Sequence, residues 1–247
     1  MPVPRALLAG GSGDAAAEAD AAWLADRLQT RIAFYTDRAG VSPFDWRGQP
    51  LSHEEVRYLR RAVEEGLLVV TDDAELLIAG FHAPKQYRLF QSYDGGAARP
   101  SRAWSWSWRE CFTQVSFACE LVLDHGWAPA HVALEVGAHD LGAGHEPLTQ
   151  PVLLAEAKVK TKGQNGLEGM LAVFGELAGG PPAAVGPRVR QNATNKYRDL
   201  VRWQPQVFVA LAPGVREVFA VDCGTGRAVL HSRDTGLSPM HMTSRLS

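Results

Sequence analysis

The segment Pro151-Val-Leu-Leu-Ala-Glu156-Ala-Lys158-Val-Lys160 constrains this chain more than any other. Its apolar residues read as a short strand. Side chains alternate across a strand, so Glu156 and Lys158 share one face, while Ala155, Ala157 and Val159 take the other. A carboxylate and an ammonium inside an apolar strand need a reason. One reason is an edge strand whose lysine discourages unwanted pairing; the other is chemistry. The rest of the sequence decides between them.

At 247 residues, with 46% hydrophobic and 21% charged residues, the chain has material for one sizeable core, or for one core and a small appended domain. No apolar run reaches bilayer length, and the opening Met1-Pro-Val-Pro-Arg-Ala-Leu-Leu-Ala-Gly has too short an apolar centre for a secretory leader. A cytoplasmic protein with no membrane partner is the expectation. The odd set Cys111, Cys119 and Cys223 lacks zinc-site or disulfide-framework spacing and fits buried thiols. Charge is uneven. Residues 1–150 carry 13 Lys and Arg against 20 Asp and Glu, whereas residues 151–247 carry 12 against 7. The Glu-x-Lys strand therefore opens the basic part of the chain, which suits an anionic substrate such as nucleic acid in a local groove.

Residues 14–38 are rich in helix formers, and Ser52 followed by Glu54 and Glu55 marks a second helix start, with Val56, Leu59 and Val63 at helical spacing before Gly66. Leu67–Thr71 and Ala74–Ala79 flank Asp72-Asp73 as a hairpin. This helix-hairpin arrangement reads as an accessory region over residues 1–100, closed by the linker-like Asp94–Ser101. Trp104, Trp106 and Trp108 alternate along one strand face, where core packing is favoured over base stacking. A helix over 109–125 follows, then a strand over 131–136, the turn-rich stretch 137–144 and the Glu-x-Lys strand. Helices over 165–178 and 188–202 precede strands at 205–211, 215–221 and a weaker one at 227–231. The fold class is thus mixed α/β (α+β), a mixed sheet flanked by helices over residues 101–237, with a flexible tail over 238–247.

Phosphodiester hydrolysis by metal ions needs hard oxygen ligands and a cation that stabilises charge on phosphorus. Asp140, Glu156 and Lys158 supply that set, and the Ala157 carbonyl offers a further oxygen. Glu135, on the preceding strand, competes with Asp140 as first acid, and Glu146 stands behind both. Asp140 is preferred because Gly137 and Gly142 give its surroundings backbone freedom. Glu120 lies one step off the apolar stripe of its helix.

The order of elements and acids across residues 103–231 resembles the PD-(D/E)xK nuclease superfamily, with its restriction-endonuclease-like core. The resemblance implies that Asp140 and Glu156 bind Mg²⁺ or Mn²⁺ and that Lys158 orients water or neutralises the phosphate. It further implies a helix-borne carboxylate at Glu120 and a polar residue at Gln164, and it favours DNA over RNA. His139 replaces the proline usual before the first acid, and no Gln-x-x-x-Tyr helix is in register, since Gln191 and Tyr197 are six apart. Lys160, expected on the face of Glu156 and Lys158, together with Lys162, Arg198 and Arg202, would track a phosphate backbone. Many such proteins work as homodimers. The alternative is a nuclease-like fold that binds nucleic acid or a protein partner without cutting.

Three other features carry less. Ala9-Gly-Gly-Ser-Gly13 lacks the Gly-Lys-Ser/Thr ending of a phosphate loop. His125, His131, His139 and His145 lack helical zinc-site pairing, although His139 stands beside Asp140. No Gly-x-Ser-x-Gly elbow is present.

Overall fold

The computed structural model describes residues 15–39, 51–71, 76–83, 109–224, 226–233 and 237–239. The glycine-rich start, the three alternating tryptophans, the linker-like Asp94–Ser101 and most of the tail lie outside them. Two compact units emerge, residues 1–80 with 85–116 and residues 81–84 with 117–247. The division thus falls within a helix, beyond the boundary expected near residue 100.

In the first unit, helix α1 (Ala15–Ala39) packs with α2 (His53–Glu64), and β1 (Leu68–Val70) pairs antiparallel with β2 (Leu76–Ile78). The Ser52-x-x-Glu55 pattern forms a complete capping box. Glu55 N donates to Ser52 Oγ at 3.2 Å, and Ser52 N donates to Glu55 Oε2 at 2.7 Å. Glu55 also accepts the Thr113 hydroxyl at 2.6 Å. Val56, Leu59 and Ala62 on α2 are fully buried. Ser52→Ala removes one leg of the box and should cost about 1 kcal/mol, read as a lower chemical-denaturation midpoint.

Helix α3 (Arg109–Leu123) leads through a 3₁₀ turn at Pro129–His131 into a six-stranded sheet. Its strands are β3 (Val132–Val136), β4 (His139–Ala143), β5 (Leu153–Ala157), β6 (Val207–Ala212), β7 (Val215–Asp222) and β8 (Val229–Ser232), neighbours in that order. All pairs are antiparallel except β5 with β6, which run parallel. Between those two the chain makes helices α4 (Leu167–Leu177) and α5 (Pro187–Trp203).

Leu154 and Phe208 on the sheet meet Met170, Val173 and Phe174 of α4 and Ala193, Tyr197 and Leu200 of α5 in one core. A fully buried large apolar side chain contributes about 1.5–3 kcal/mol, so this layer anchors both helices firmly. Every residue of β5 is buried and the strand has neighbours on both sides. Edge protection therefore does not explain Glu156. The expected strand over 151–160 ends at Ala157, and Lys160 leaves the sheet. The Lys160 and Thr161 carbonyls instead accept Leu167 N and Glu168 N, closing the first turn of α4. The turn-rich stretch 137–144 is largely β4.

Candidate functional site

Glu156 is fully buried at the end of the central strand β5, on the face covered by α5. Both carboxylate oxygens are held by ammonium groups. Lys158 Nζ bonds Glu156 Oε1, and Lys196 Nζ on α5 donates to Oε2 at 2.8 Å. Burial alone would raise the Glu156 pKa, but Lys158, Lys196 and His139 together hold it below the ordinary carboxylate value. The charged form is the one this pocket is built for. Lys158 Nζ also donates to the Ala157 carbonyl at 2.8 Å, so one cationic point joins two of the oxygens expected to face a metal.

Asp140, on β4, reaches the same strand end. Its Oδ2 accepts Ala157 N at 2.7 Å. Burial, and secondarily the charge of Glu156, pushes its pKa up to about 8. At neutral pH without a further cation this carboxyl is mostly protonated. Glu156, gripped by two lysines, is ionised beside it, so the two acids differ in state.

Local backbone geometry makes this meeting possible. Ala133 and Val136 lie three residues apart yet enter the same core, which regular alternation forbids. Glu135, with φ 56°, is where the alternation slips. It brings Val136 and its partner His139 to the α5 face. A two-residue turn, Gly137-Ala138, follows, with positive φ at Gly137 and not at Ala138, the pattern of a hairpin turn with glycine first. Glu135 itself is exposed, and Asp140 is hydrogen-bonded to β5. Asp140, one of the two candidates for first acid, is joined to Glu156-Ala-Lys158 through Ala157 N.

Helix α5 clamps that turn. Lys196 Nζ donates to the Ala138 carbonyl, and Asp199 Oδ2 accepts Ala138 N at 2.8 Å. The Lys196 carbonyl lies 3.0 Å from His139 Nε2, whose ring is fully buried against Phe208. Burial lowers the His139 pKa to about 4, leaving a neutral imidazole with Nδ1 3.8 Å from Glu156 Oε2.

Other expected members stand elsewhere. Glu120 is buried on the opposite sheet face, where Arg216 grips it through its two terminal guanidinium nitrogens and His125 lies 3.0 Å away. It is a structural anchor, because Arg216 pairs with Leu211 and so points away from the face of Glu156. Gln164 is exposed and accepts Gly186 N at 3.2 Å, pinning the entry to α5. Lys160, Lys162, Arg198 and Arg202 are all exposed, and the first two sit on the loop that caps α4. Glu146 accepts the Thr149 hydroxyl in an exposed turn.

Lys196 and Asp199 were not among the expected site residues. The signal for Lys196 was present in its spacing. It follows the buried Ala193 by three and precedes the buried Leu200 by four, so it lies on the inward face of an amphipathic helix.

The chain matches no protein-family model, no curated protein and no solved structure. Among the described residues, no three His, Cys, Asp or Glu side chains form a ready metal site, and no helix is long and apolar enough to cross a membrane. At the end of β5, Glu156 Oε1 and the Ala157 carbonyl both meet Lys158 Nζ, and Asp140 Oδ2 accepts Ala157 N.

Proposed function

We propose that this protein is a divalent-metal-dependent nuclease that hydrolyses phosphodiester bonds in DNA. The observation that carries the reading is the convergence of Glu156 Oε1 and the Ala157 carbonyl on one cation, the Lys158 ammonium, with Asp140 tied to the Ala157 N–H. Hard oxygens arranged around a positive charge are the donor set that Mg²⁺ or Mn²⁺ prefers. Residues 109–212 run as a helix, three antiparallel strands, two helices and a strand parallel to β5, which supports a restriction-endonuclease-like reading of the core.

In this reading Asp140, Glu156 and the Ala157 carbonyl hold the ion, which would polarise the phosphate and the attacking water. Lys158 keeps its ammonium beside the reacting phosphate and offsets the charge that builds there. Neutral His139 excludes water behind Glu156 without adding charge. Exposed Lys160, Lys162, Arg198 and Arg202 supply backbone contacts, so binding should weaken as salt is raised.

The test is incubation of the full chain with linear, circular and single-stranded DNA in Mg²⁺ or Mn²⁺, beside Asp140→Asn and Lys158→Met variants. Cleavage by the wild type and a loss of at least about 100-fold in each variant is expected. Cleavage that persists in both variants would falsify the assignment. DNA binding without cutting favours the second reading, a non-cleaving nucleic-acid binder, which the pairing of both Glu156 oxygens with lysines supports.

A pH dependence follows from Asp140. A divalent ion needs the ionised carboxylate, so metal uptake should release a proton and tighten as pH rises towards about 8, then level off. Calorimetry of Mn²⁺ binding in two buffers of different ionisation enthalpy reads that proton. Affinity that is flat between pH 6 and pH 8 contradicts it.

A further inference from the structure

The two lysines on Glu156 are anchored differently, and the difference assigns them different work. Lys158 Nζ rests on Glu156 Oε1 and the Ala157 carbonyl, the two atoms that the nuclease reading gives to the metal. Both of those contacts are ones a divalent ion would take over. Lys196 Nζ rests on Glu156 Oε2 and on the Ala138 carbonyl, and neither atom belongs to the proposed ligand set. Its own helix turn is fixed to the same hairpin by Asp199 on Ala138 N and by the Lys196 carbonyl facing His139. The side chain of Lys196 is 13% exposed and that of Lys158 is 19% exposed.

The geometry points to Lys196 as a positioning residue that holds Glu156 Oε2 and leaves Oε1 to face the cation, with Lys158 as an exchangeable ammonium that a divalent ion displaces. The inference rests on the metal reading above. It has a consequence that simple charge repulsion does not. An ammonium near a metal site repels the ion, so on charge alone removal of either lysine tightens binding. Positioning reverses the sign for Lys196, because without it Glu156 loses the partner that fixes its orientation, and the Ala138 carbonyl loses its tie to α5.

Calorimetric titration of the full-length metal-free protein with Mn²⁺ alone, without DNA, separates these outcomes. Lys158→Met should bind Mn²⁺ several-fold tighter than wild type, because the competing ammonium is gone. Lys196→Met should bind roughly 10-fold weaker. Lys196→Arg, which can still reach both acceptors, should recover most of that loss. If Lys196→Met does not fold, Lys196→Gln carries the same expectation, since its amide can hold one of the two contacts at most. Equal or tighter Mn²⁺ binding by the Lys196 variants overturns the positioning role, and equal or weaker binding by Lys158→Met overturns the exchange. A wild type that takes up no Mn²⁺ removes the metal reading and this inference together, whereas uptake by wild type with unaffected variants removes the inference alone.

Discussion

Glu156→Gln is expected to destabilise the protein by about 3 kcal/mol at neutral pH, because it strands two ammonium groups around a buried neutral amide. The figure sits at the low end for orphaning buried charge, since both lysines keep partial contact with water. Urea denaturation of wild type and variant measures it. The sign of its pH dependence is fixed by the depressed pKa of Glu156. In wild type the stabilisation is complete above the unfolded value near 4.5 and is lost as pH falls through the lower folded value. The gap between wild type and Glu156→Gln should therefore narrow in acid, and a gap that stays constant down to pH 3 contradicts the ion-pair account. A double-mutant cycle with Lys196→Met should return a coupling of about 1–3 kcal/mol. Additive losses there would mean that the two side chains act separately.

Gly137→Ala is expected to cost a similar amount for a different reason. The residue has φ +59°, a conformation that charges an L side chain roughly 1 kcal/mol. A Cβ would stand 2.3 Å from Trp203 Cη2 and 2.6 Å from Asp199 Oδ2. A rigid indole does not yield as a flexible chain end does, so overpacking adds roughly 1–3 kcal/mol. Displacing Asp199 would also free Ala138 N from its acceptor. Thermal unfolding of Gly137→Ala, alone and combined with Trp203→Leu, tells the two causes apart. Substantial recovery in the combined variant is expected beyond the effect of Trp203→Leu alone, and none at all would assign the whole cost to the backbone.

Much of this arrangement is legible in the amino-acid sequence. Alternation along Leu153–Ala157 placed Glu156 on one strand face, and the Ser52-x-x-Glu55 box marked its helix. Lys160 was misplaced because local alternation cannot say where a ladder stops. Its carbonyl closes α4 instead, and Gly166 is so close to the Lys160, Thr161 and Lys162 carbonyls that a Cβ would clash with all three. Glu120 was misplaced because its partner, Arg216, arrives 96 residues later, and no short window contains both. The clamp by Lys196 and Asp199 was hidden in the same way. Helical spacing marks an inward-facing lysine, but only the crossover between β5 and β6 reveals that it meets Glu156.

That crossover also sets when the site can exist. Leu153 on β5 pairs with Val207 on β6, so the two strands align only by closing a long loop that contains α5. Closing so long a loop costs entropy that local contacts do not offset, so parallel pairing of this kind is intrinsically slow. Until it forms, Glu156 lacks the lysine of α5. The acid pair and its clamp thus depend on contacts between segments distant in sequence, and no local stretch of chain can form the site by itself.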